Sequence, residues 1–195
     1  MNIAQNLIEY TVKHSNFETK RNYISLSHIA LSVDEIVEMC VNGFEDSENI
    51  RLKCYKGYQM ERDLLCRLKA CFEPGRVISG AETPEINPYN GLVKGHPDFW
   101  FDGYPGDFKS VLKDDWLPDK IKEFPYCRLP HKVVWQMQGY MLFSNKDRGY
   151  VVYESRETGL IADYTVYRNI NIQRQIEEKL EKIVERLKVE GYKVN

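Results

Sequence analysis

The stretch that decides the fold is Leu92-Val-Lys-Gly-His-Pro-Asp98-Phe-Trp-Phe-Asp102-Gly103-Tyr-Pro-Gly-Asp107-Phe-Lys109. Asp102-Gly103 between two aromatic-rich runs signals a hairpin. A two-residue type I′ turn needs positive φ at both central positions, and Asp-Gly tolerates it. Strands are therefore expected over 92–101 and 104–112. Counting from the turn pairs Phe101 with Tyr104 and sets Asp98 opposite Asp107. Opposed residues on one sheet face have Cβ atoms about 4.5–5.5 Å apart, so two carboxylates there repel each other unless a cation lies between them. Hard divalent ions such as Mg2+ and Mn2+ prefer carboxylate and carbonyl oxygens. Lys109 follows Asp107 by two residues, which puts both side chains on one face and turns Phe108 to the other.

Upstream, Ser32-Val-Asp-Glu35 reads as a capping box that starts a helix over 33–41. A second helix is expected over 56–72, with the stripe Leu64, Leu65, Leu68 and Phe72, ended by Pro74-Gly75. Glu61 falls on that stripe, an expensive place for a carboxylate without a partner. A strand is expected within 76–86. Downstream lie a polar connection over 113–130, a buried helix over 133–143, and strands over 149–154 and 161–167 joined near Thr158-Gly159. A charged amphipathic helix with the stripe Ile176, Leu180, Ile183 and Leu187 closes the chain. The order is helices, three strands, helix, two strands, helix: an α/β fold with a central mixed β-sheet flanked by α-helices.

The chain has 195 residues, 43% of them hydrophobic, which suits one domain spanning 1–195. Its core is expected over about 53–167, with N-terminal helices within 1–52 and the C-terminal helix over 170–191. A net charge of −2 excludes a basic protein that coats nucleic acid, so any nucleic-acid chemistry needs a local site. No apolar run has the length of a membrane span, and 1–13 lacks the apolar stretch of a signal peptide, so a cytoplasmic protein is expected. The five cysteines, irregularly spaced and without C-x-x-C, read as reduced thiols, and the four histidines show no zinc-ligand spacing.

Together these residues resemble the PD-(D/E)XK nuclease superfamily. Gly95-His-Pro-Asp98, eight residues, then Asp107-Phe-Lys109 resembles its defining motif. Gly57-Tyr-Gln-Met-Glu61 is similar to the first motif of the RecB-like branch, and Gln136-Met-Gln-Gly-Tyr140 to that branch's Q-x-x-x-Y motif. The resemblance implies a restriction-endonuclease-like core and exonuclease-like cleavage of DNA with Mg2+ or Mn2+, in recombination, repair or defence. It implies metal ligation by Asp98, Asp107 and the Phe108 carbonyl, with Glu61 binding directly or through water. Lys109 would position the attacking water, while Gln136 and Tyr140 would hold the substrate strand. A helicase or recombination protein would be a partner. Several relatives carry a four-cysteine iron–sulfur cluster. No cysteine follows Cys127 here, so no cluster is expected.

Other signals have two readings. His96, opposite Lys109 in the same register, is either a phosphate or water contact or a plain strand histidine. Gln136 and Tyr140 share their stripe with Val133 and Phe143 and also suit core positions. Lys113, Lys120, Lys122, Arg128, His131 and Lys132, interleaved with Trp116, Phe124 and Tyr126, suit a single nucleic-acid strand, but acids dilute the pattern toward an ordinary loop. Two alternatives to a nuclease stand on the same residues: a non-catalytic DNA-binding module on this fold, and a metal-dependent phosphohydrolase acting on small phosphate esters.

Overall fold

The computed structural model describes residues 8–11, 13, 23–43, 47–118 and 129–191. Its main sheet has five strands in the order β2-β4-β5-β6-β7: β2 (Val77–Ser79), β4 (Phe99–Phe101), β5 (Tyr104–Val111), β6 (Arg148–Ser155) and β7 (Ile161–Tyr167). All neighbours are antiparallel except β5 and β6, which run parallel. Parallel neighbours need a crossover, and helix α3 (His131–Ser144) provides it. Two short strands, β1 (Ile24–Ser25) and β3 (Val93–Lys94), pair in parallel beside the main sheet. The fold is α/β, a mixed sheet flanked by helices.

The hairpin closes in the register counted from its turn: Phe101 pairs with Tyr104, Trp100 with Pro105 and Phe99 with Gly106. Asp102 and Gly103 have φ of 50° and 78°, the two positive values a type I′ turn requires. Arg76 clamps the tip, its guanidinium donating to both Asp102 carboxylate oxygens at 2.8 and 2.5 Å. Gly106 lies under the Phe99 ring, and a Cβ there would stand 2.1 Å from Phe99 Cζ.

Strand alternation sorts the two faces. Phe99 and Phe108 pack with Leu64 of helix α2 (Glu48–Cys71) on one side. Val151, Tyr153, Tyr164 and Val166 pack on the other against α3 and helix α4 (Ile170–Val189). The expected α4 stripe is wholly buried: Ile176, Leu180, Ile183 and Leu187 are each 0% exposed. Helix α1 (Val33–Asn42) begins at the expected capping box, where Ser32 and Glu35 bond reciprocally.

Three elements differ from expectation. Helix α2 begins at Glu48 rather than 56, capped by the Ser47 hydroxyl accepting from the Ile50 amide. Its first turns bury no side chain, so no apolar stripe marks them. The strand expected over 92–101 is two strands, because the chain leaves the sheet between them. Gly95 bridges to Ile86, Pro97 has no amide to donate, and the Asp98 carbonyl accepts from Gly80 at 3.0 Å. Phe72 is 37% exposed, its ring edge-on to Phe101 rather than in the core. The connection over 113–130 is described only in part. Residues 119–128, with Lys120, Lys122, Phe124, Tyr126 and Arg128, lie outside the described residues. No described helix is long and apolar enough to cross a membrane.

Candidate active site

Asp107, Lys109, Asp98, Glu61, Gln136 and Tyr140 line one cavity of about 310 Å³. Asp107 and Lys109 project from β5 toward α3. Asp98 arrives one register position beyond the last β4 pair. Its neighbour Gly80 is essential to that path, since a Cβ on Gly80 would stand 1.7 Å from the Pro97 carbonyl oxygen. Glu61 comes from α2, one turn before the buried Leu64.

Asp107 is 2% exposed. Its Oδ1 accepts from Gln136 Nε2 at 3.0 Å, and the same amide donates to the Tyr140 hydroxyl at 2.8 Å. Tyr140 in turn donates to the His96 carbonyl at 3.0 Å. Gln136 and Tyr140, four residues apart on one helix face, thus tie α3 to both arms of the site. Both are buried, and the Gln136 amide nitrogen and the Tyr140 hydroxyl already have partners. Asp107 Oδ2 forms an ion pair with the Lys109 ammonium but has no partner in hydrogen-bond alignment. Asp98 Oδ2 accepts from the Phe108 amide at 2.7 Å. A residue in an antiparallel strand points its N–H and C=O toward the same edge, so the Phe108 carbonyl faces the Asp98 side of β5.

Charge is unbalanced here, with three carboxylates facing one ammonium. Burial raises the Asp98 carboxyl well above the ordinary range, and the charges of Asp107 and Glu61 add to that, against the pull of Lys109. Asp98 is nevertheless only half-buried by accessible surface, its open side being the cavity. Glu61 is raised by burial and by Asp107, with Lys109 opposing. Burial works against the Lys109 charge, but Asp107 and Asp98 outweigh it, so its pKa is raised and it stays an ammonium. The Tyr140 hydroxyl is held well above its usual range by burial and by Asp107 and Asp98; it stays protonated.

The donor set suits a hard divalent cation. It offers carboxylate oxygens whose mutual repulsion a cation relieves, one of them without a hydrogen bond, and a backbone carbonyl on the same edge. Among the described residues no group of three or more His, Cys, Asp or Glu side chains is arranged to hold a metal ion. The fitting set is accordingly Asp98, Asp107 and the Phe108 carbonyl, with Glu61 as a further acidic neighbour.

His96 is not opposite Lys109, because β4 begins only at Phe99. Its imidazole is 62% exposed and pairs with Glu85 at 2.6 Å. Lys94 reaches the other oxygen of Glu85 at 3.2 Å. Tyr23, Ser25 and Ser27 complete the cavity rim. Sequence reading missed Lys94 and these three. Ser25 and Lys94 lie in two-residue strands, Ser27 in a single 3-10 turn and Tyr23 just before the first of them, all too short to show periodicity.

No protein-family model matches the sequence, and no curated protein does. Solved structures match at the level of fold. The architecture, a mixed sheet flanked by helices, is shared with solved exonuclease structures. LHK-Exo, an alkaline exonuclease from Laribacter hongkongensis, superposes in its complex with dAMP with a TM-score of 0.60 at 15% identity, over 93% of each chain. A phage-related exonuclease from Haemophilus somnus gives 0.56 at 13% identity, over 86% of this chain and 96% of that one.

Proposed function

We propose that this protein is a divalent-metal-dependent deoxyribonuclease acting as an exonuclease. The observation that carries the reading is the convergence of Asp98, Asp107 and Lys109 in one cavity, with Glu61 beside them. The likeness in fold to exonucleases supports it.

A bound Mg2+ or Mn2+ would supply Lewis-acid polarisation of the phosphate and stabilisation of the charge developing on it. Asp98, Asp107 and the Phe108 carbonyl would hold that ion. Lys109, kept protonated by the acids around it, moves from Asp107 toward the scissile phosphate. There it orients the attacking water and counters charge on the equatorial oxygens. Glu61, its pKa raised, is suited to take a proton from that water. Gln136 fixes Asp107 in one rotamer, and Tyr140 fixes Gln136. Asp107 therefore does not have to reorganise during turnover. The rim of Tyr23, Ser25, Ser27, Lys94 and His96 faces the substrate strand.

Incubating the purified chain with single- and double-stranded oligonucleotides and Mn2+ tests this. Mononucleotide release by wild type and its loss in Asp107→Ala are expected. Absence of cleavage, or equal cleavage by the variant, removes the proposal.

A further inference from the structure

A second, larger groove of about 600 Å³ lies beside the acidic cavity. Pro84, Ile86, Pro88, Trp100 and Phe143 make its walls mostly apolar, and Lys146 is at its edge. The two spaces meet at Glu85, which lines the groove while its carboxylate pairs with Lys94 and His96 of the acidic cavity. The Lys94 ammonium offsets an acid that would otherwise repel a phosphate.

The spacing fits one step along a nucleic-acid strand. Trp100 is two residues beyond Asp98 on the same face, about 7 Å along an extended chain. On α3, Phe143 comes about one turn, roughly 5 Å, after Tyr140. The Trp100 ring lines the groove, half-buried, and gives it an aromatic wall. The Lys146 ammonium lies by the hairpin tip, near the Tyr104 ring. The surroundings thus combine a mostly apolar space, an aromatic wall and one edge cation. A nucleobase with its phosphate matches all three. An apolar peptide would leave the cation unused.

We infer that this groove is a nucleobase-binding subsite, holding an unpaired base of the nucleotide next to the scissile phosphate. The inference rests on the nuclease reading and deepens it. Stacking and enclosure of that base anchor the strand while its phosphate lies at Asp98 and Asp107.

The test is an abasic scan. Fluorescein-labelled single-stranded oligonucleotides, each with one tetrahydrofuran site, are titrated with the full chain in Ca2+, and Kd is read by anisotropy. The same series is then cleaved in Mn2+. One position should weaken binding by roughly tenfold, the scale of losing one base–aromatic contact. Asn87→Trp fills the groove from an exposed wall position. In that variant the intact oligonucleotide should bind about as weakly as the abasic one. Its turnover of bis(p-nitrophenyl) phosphate, a diester without a base, should match wild type. A flat scan, an undiminished positional penalty in Asn87→Trp, or no binding overturns the subsite. Cleavage with a flat scan removes the subsite alone. A positional penalty without any cleavage removes the nuclease reading alone.

Discussion

Replacing Asp98 by Asn should stabilise the metal-free protein while abolishing activity. Asn keeps the shape of the side chain and an oxygen to accept the Phe108 amide, now at 2.7 Å from Asp98. What it removes is a negative charge pressed against Asp107 and Glu61. Two unit charges about 5 Å apart at an effective dielectric constant near 20 repel by about 3 kcal/mol. Burial first, and that repulsion in addition, favour the protonated form, which is why the folded pKa of Asp98 is raised. A raised folded pKa contributes stability fully present below the unfolded value of about 4 and lost as pH rises through the folded one. The Asn variant does not titrate there. Its advantage should be near zero at pH 4 and approach ~3 kcal/mol by pH 8. Urea denaturation in EDTA at both pH values measures it. Added Mn2+ should reverse the order at pH 8, stabilising wild type and leaving the variant unmoved, while cleavage by the variant falls below detection. An Asn variant less stable than wild type at pH 8 in EDTA, or a difference independent of pH, would refute the idea that these acids are held apart for a cation.

Gln136→Leu should weaken Mn2+ binding and turnover by about 10–100-fold, because Asp107 Oδ1 loses its donor and its fixed orientation; calorimetric titration and cleavage kinetics report both. Lys109→Met should retain Mn2+ binding yet lose roughly 100-fold or more in turnover, since it removes charge stabilisation and not a ligand; equal loss of metal binding would place the lysine in a different role. Gly106→Ala should destabilise the fold by about 1–3 kcal/mol, because the added methyl meets the Phe99 ring, and urea midpoints with unchanged m-values would show it.

Much of this architecture is legible in the sequence because it is locally encoded. The hairpin follows from two turn residues, the pairing register from counting outward, and α4 from an apolar stripe with the right period. The same counting places Asp107 and Lys109 on one face. What escapes is set by tertiary context. Helix α2 starts early on a capping serine with no buried face to announce it. The strand before the hairpin breaks where Gly95, Pro97 and the close pass of Gly80 direct the backbone elsewhere, and His96 is carried away from Lys109 by that break. The roles of Gln136 and Tyr140 were readable only as a shared face. Their chain of bonds from Asp107 to the His96 carbonyl depends on how α3 crosses between β5 and β6.

The Asp102–Gly103 tip works as the zero mark of a ruler. From it, each residue added to one arm alone would swap inward and outward sides along the whole arm, sending one acid among the aromatic rings and a ring among the acids. Length there is consequently under stricter constraint than chemistry. Exchanges of the two tip residues for others that accept left-handed backbone leave the cavity intact, whereas a single-residue insertion dismantles it without touching any of its side chains.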